Sequence, residues 1–274
     1  TVVRTAGIMA GLAVVSLGIA AIRIWQEKEA KQQAITQAIE DRRRAEASYR
    51  QTIQGVSRML ARLSHPEMVP PDQLPGYRKV LCEEAARFYQ AALQNPTNDF
   101  AARWELGTAL VHLGINYGIL GERVRAIEVL RQAVDQLDRL AADVPDDAEY
   151  RAEAVAARVP LGEILQQDGQ TAAAEAMFRE TADQWRRAWA DHKTVRIADH
   201  YSMYLAMCKC EPVRNYVKAA ELAEWALART PNDAGLWYIL GTARYRTGAY
   251  REAVIACERA ESIRPDGVAG ARAI

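Results

Sequence analysis

Apolar residues recur along most of this chain at steps of three and four, the spacing of one helix face. One stretch departs from that pattern: from Thr5 to Ile22 there are 18 residues without a charge, close to the ~20 that cross a bilayer as a helix. That run reads as a membrane span over residues 5–22 within an anchor at 1–24, with Arg23 and Trp25 at its boundary. A signal peptide ending near Gly18-Ile19-Ala20 and a buried core helix stay open as alternatives. Gly7 and Gly11 have the spacing that lets two such helices approach, and with it a homodimer. A chain that starts at Thr1 directly before such a run reads as a piece of a longer protein whose upstream part lies across the membrane.

Residues 25–64 predict one long charged juxtamembrane helix, because strong helix formers dominate and Gly55 is the only breaker. Ile35, Ile39, Tyr49, Ile53, Val56, Leu60 and Leu63 share a face, interrupted at Arg42 and Glu46. A dimeric stalk and a helix whose second half packs on the following domain both fit, and the broken heptads favour packing. Residues 65–76, with Pro66, Pro70, Pro71 and Pro75, predict a Pro-rich linker. A lone helix follows at 77–97, a helical repeat array at 98–267 and a tail at 268–274.

The repeat is clearest near the end, where Trp237, Leu240 and Gly241 are followed by Tyr245, Gly248, Tyr250, Ala253, Ala260 and Pro265. Small residues at 241 and 253 let two helices touch, and Gly248 relieves the turn between them. This spacing resembles the tetratricopeptide repeat, two antiparallel helices per unit. Copies recur at Leu113-Gly114 through Ala133, at Leu161-Gly162 through Phe178 and, irregularly, from Tyr201 to Pro231. The second helices of the first two copies are expected to be about two turns longer than usual. The expected fold class is all-α: a transmembrane and juxtamembrane helix, then a solenoid of about four helix pairs, above the ~3 repeats that a continuous core needs.

Composition narrows the chemistry. Lys+Arg and Asp+Glu are equal at 35, so no basic field attracts nucleic acid. Four cysteines without paired spacing indicate neither a disulfide framework nor a zinc site, and no cofactor motif is present. His65, His112, His192 and His200 are scattered, and Asp199-His200 has no accompanying nucleophile.

The order of apolar run, charged helix, Arg87-Phe88-Tyr89-Gln90, the stretch from Pro145 to Tyr150 and the final repeat also resembles the C-terminal half of membrane-anchored bacterial serine/threonine kinases of the planctomycete kind. That resemblance implies a cytoplasmic catalytic domain upstream of Thr1 and repeats on the far side of the membrane. The chain itself has no Gly-rich phosphate loop, HRD or DFG motif, so catalytic residues are not assigned.

The expected function is therefore protein binding, as the sensor or scaffold arm of such a kinase or as a noncatalytic assembly factor of the cell envelope. The outward positions of the first helices form the candidate peptide groove: Tyr238, Thr242, Tyr245 and Arg246 in the last repeat, Val111, Ile115 and Ile119 in the first, Glu163, Gln166 and Gln167 in the next. The competing role for the tyrosines is packing on a neighbouring helix. No polar helix caps the sequence after Pro265, which reads as truncation.

Overall fold

The computed structural model describes residues 2–63, 74–94 and 97–263, and of residues 2–22, 24, 42, 45, 61–63, 74 and 75 the backbone alone. Most of the linker, Pro265 and the tail at 268–274 lie outside the described residues. Every described element is helical: α1 (Val2–Leu63), α2 (Leu74–Gln94), α3 (Phe100–Ile119), α4 (Arg123–Asp143), α5 (Ala148–Ala156), α6 (Arg158–Gln167), α7 (Thr171–Asp191), α8 (Val195–Met207), α9 (Tyr216–Leu227), α10 (Ala234–Arg246) and α11 (Tyr250–Ile263). α2 starts at Leu74, three residues inside the expected linker.

The chain divides into residues 1–51 and residues 52–274. The first unit is the greater part of α1. Trp25, Ile35 and Ile39 are exposed there, and Arg44 pairs with Glu40 and Asp41, each at 3.8 Å. The expected membrane anchor does not stand: among the described residues no helix is long and apolar enough to cross a membrane. Beyond the run at 5–22 α1 carries Arg23, Glu27, Lys28, Glu29 and Lys31 and, from Glu40, a second cluster of charges, each of which costs ~2.5–3.5 kcal/mol at a bilayer centre. The single-pass localisation falls with it; the lipid contact through residues 5–22 and the homodimer through that segment rest on side chains that lie outside the described residues.

The second unit is a stack of helix pairs in one register. In three pairs a glycine of the first helix lies under a side chain 16 positions later: Gly114 under Leu130, Gly162 under Phe178, Gly241 under Cys257. A Cβ on these glycines would come within 2.5, 2.6 and 2.7 Å of those side chains, so only glycine allows the approach. Seven positions after each, Gly121, Gly169 and Gly248 turn the chain at φ of +78°, +82° and +84°, a region closed to most side chains. Ala126, Ala174 and Ala253 follow, all buried.

The first two of these pairs repeat every 48 residues, because both helices are lengthened. α3 and α4 have 20 and 21 residues against 13 and 14 in α10 and α11, about two turns more in each. The sequence had suggested lengthening of the second helix alone. The longer pairs are clamped at their open ends, Arg103 to Asp143 at 2.6 Å and Arg151 to Asp191 at 3.1 Å. In the second pair the first helix is broken into α5 and α6 at Ala157, because Pro160 has no N–H and its ring crowds the Ala156 carbonyl. The fourth pair, α8 and α9, has neither of the two glycines and closes instead through a 3-10 turn at Glu211–Val213.

Side-chain caps start the first helices: Asp99, Asp147, Thr194 and Asp233 accept backbone N–H bonds at α3, α5, α8 and α10. At the other end of the unit, Ile53 and Leu60 of α1 are buried, and Asn116 Nδ2 donates to the Leu60 carbonyl at 3.1 Å. Tyr117 Oη donates to the Cys82 carbonyl of α2 at 3.3 Å. Trp237, expected between the helices of the last pair, is half-buried instead, its indole N–H donating to the Pro231 carbonyl at 2.9 Å.

Candidate functional site

α10 packs against both α9 and α11, with Leu236, Ile239, Leu240 and Ala243 buried and Arg244 ion-paired to Glu224 of α9. Gly241 of α10 lies against Cys257 and Ala253 of α11. Tyr238, Thr242, Tyr245 and Arg246 thereby line a cleft of about 390 Å³ together with Tyr250, Val254, Cys257, Glu258 and Glu261 of α11. Gly241 and Ala253 form its floor, since the pair approaches most closely there.

The cleft is apolar along its middle and charged at its rim. Tyr245 and Tyr250 meet edge to face at 5.6 Å, and both remain more than half exposed. Val254, on the same wall, is 56% exposed. Arg246 and Glu258 have no ion-pair partner among the described residues. Burial, and then Glu261, push the Cys257 thiol above its ordinary value, which keeps it protonated and apolar in character.

Four of the groove positions expected from sequence are thus brought together, and the other six lie elsewhere. Val111 packs with Trp104, Val134 and Ala141 on Leu137, Ala154 and Ala157. Ile115 is half-buried and Ile119 exposed on α3. Glu163 faces Lys209 at 3.8 Å, while Gln166 and Gln167 are exposed at the end of α6. The sequence reading considered only first helices, so it missed the α11 wall. Its signal was there: Tyr250, Val254, Cys257 and Glu261 fall four, three and four apart on one helix face.

Two other polar groups belong to packing. Arg196 bridges Glu149 at 2.8 Å and Glu153, tying α8 to α5. Asp199 is raised by burial, opposed by neighbouring His200, and the His200 ring rests 5.9 Å from that of Trp185, so the adjacent pair is set in the helix interface. Among the described residues no three His, Cys, Asp or Glu side chains are grouped to hold a metal ion.

Residues 234–266, which hold both walls of the cleft, match the tetratricopeptide repeat family. The cleft lies in a segment similar to a tetratricopeptide repeat. Solved structures similar to this chain include that of MamA, at 17% identity over 72% of this chain and 97% of that one, with a TM-score of 0.39. Another is BtubC from P. vanneervenii, at 17% identity over 84% and 93% of the two chains, with a TM-score of 0.42. At these scores nothing about assembly or binding is carried from them to this repeat protein. No curated protein sequence matches the chain. The matched segment is repeat sequence, and no match bears on the kinase resemblance.

Proposed function

We propose that the chain is a noncatalytic protein-interaction scaffold that holds a segment of another protein in the cleft between α10 and α11. One observation carries this reading: three tyrosines, Val254 and Arg246, which has no ion-pair partner among the described residues, converge on a cleft whose floor is fixed by the Gly241 packing. Tyrosine supplies large contact area at little cost in side-chain entropy, and arginine supplies a fork for a carboxylate. The kinase-linked and membrane-bound versions of this role have no observation behind them. The experiment is affinity capture of binding proteins by the wild-type chain and by the Tyr238→Ala/Tyr245→Ala/Arg246→Ala variant, with melting as a control for folding. Loss of capture at an unchanged melting midpoint is the expected result. Equal capture by a folded variant refutes the site.

A further inference from the structure

The two long helix pairs are related by a shift of 48 residues, and two places where the second departs from the first meet in one cleft. The clamp is kept, since Arg103 and Asp143 recur as Arg151 and Asp191. Leu110, 1% exposed in α3, recurs as Arg158, which is 7% exposed at the start of α6. Arg139 pairs with Asp135 at 2.7 Å, and their counterparts are Arg187 and Asp183. Asp183 is taken instead by Arg186 at 2.8 Å, and Arg187 has no ion-pair or hydrogen-bond partner among the described residues. Arg151, Arg158 and Arg187 line a cleft of about 280 Å³ bounded by α4, α5 and α7, together with Asp138 and the buried Val155 and Ala188. It shares no residue with the cleft between α10 and α11.

We propose that this second cleft binds an aspartate or glutamate side chain of a partner protein, its carboxylate held by Arg187 and by the remaining donors of Arg158. Burying a guanidinium costs free energy that a leucine at the same repeat position avoids, so packing alone does not call for Arg158. Its five N–H donors are not used up: one goes to the Asp138 carboxylate at 2.6 Å and one to the Ala154 carbonyl. Asp138 and Asp191 offset two of the three arginines, which leaves a single positive charge in the cleft. That balance suits a monoanion, and Asp138 opposes the second charge of a phosphate. The planar forks match a planar carboxylate, and Val155 and Ala188 offer apolar surface to the methylene that carries it.

The probe is a short end-blocked peptide with one glutamate among alanines, titrated into the intact chain and read from the arginine Nε–Hε NMR signals. Saturable shifts of Arg158 and Arg187 are expected, with binding about tenfold weaker for the glutamine counterpart of the peptide. Arg187→Ala, which removes an exposed side chain without a partner, should weaken binding about tenfold at an unchanged melting midpoint. Arg158→Leu restores the residue of the first pair, and it should lose binding while melting at or above the wild-type temperature. Arg139→Ala, at the matching place in the first pair, should bind as the wild type does. Equal binding of the glutamine peptide, no saturable shift, wild-type binding by Arg187→Ala, or tighter binding of inorganic phosphate than of the peptide overturns the proposal.

Discussion

Gly162→Ala tests the packing on which the repeat register depends. A Cβ at this position would stand 2.6 Å from Phe178 Cε1, 3.0 Å from Cδ1 and 3.1 Å from Cζ, a rigid ring edge and not the tip of a flexible chain. Phe178 cannot step aside: it is 1% exposed, and Tyr204 Oη donates to its carbonyl at 2.6 Å from α8. Overpacking costs ~1–3 kcal/mol, the upper part of that range, ~2–3 kcal/mol, applying against a rigid buried ring, and the better helix propensity of alanine returns ~1 kcal/mol. The net expectation is a loss of about 1–2 kcal/mol, a fall in melting midpoint of roughly 2–8 °C for a unit of this size. Gly55→Ala is the control, because nothing lies within 4 Å of its Cβ, and it should raise stability by up to ~1 kcal/mol. Thermal melts followed by circular dichroism read both variants. The Gly162→Ala/Phe178→Leu double variant should be more stable than the two single effects added together, since a shorter side chain relieves the clash. A Gly162→Ala protein that melts at or above the wild type, or strict additivity in the double variant, would refute the close approach.

Asn116→Ala should cost about 1–3 kcal/mol, because it strips a buried donor from the Leu60 and His112 carbonyls; urea unfolding measures it, and a wild-type midpoint would contradict that fastening. His112 is held below its ordinary value by burial, opposed by Glu153, so the unfolded chain takes up the proton first. Its neutral form therefore contributes stability that is complete above about pH 6.5 and is lost as the pH falls toward its depressed folded value. His112→Gln should flatten denaturant midpoints measured from pH 7.5 to 5, and an unchanged slope would count against the burial. Cys82 is fully buried and its thiol is pushed up to about 12, mainly by burial. Iodoacetamide at pH 7.5 should leave it unmodified in the native chain, as read by mass spectrometry, and label it once urea unfolds the protein.

The sequence by itself determined the helices and the register of three pairs. A glycine where two helices touch, a second at the turn seven residues on and an alanine beyond it are local requirements, so Gly114, Gly162 and Gly241 mark their pairs without any tertiary information. The break at Ala157 was equally local, written in Pro160. The added turns in α3 escaped notice because two turns keep an apolar face in phase, so periodicity counts faces and not lengths.

Only the tertiary structure decided which exposed residues share a surface. Val111 and Tyr238 occupy similar outward positions on first helices, yet Val111 has α4 and α5 beside it and is packed, whereas Tyr238 faces α11 across an open cleft. Glu224 of α9 is ion-paired because Arg244 of α10 reaches it, whereas Glu258, 34 residues on in α11, has no ion-pair partner among the described residues. A helix's pattern specifies the face it offers; whether that face is covered depends on the neighbour stacked next, which no single repeat encodes.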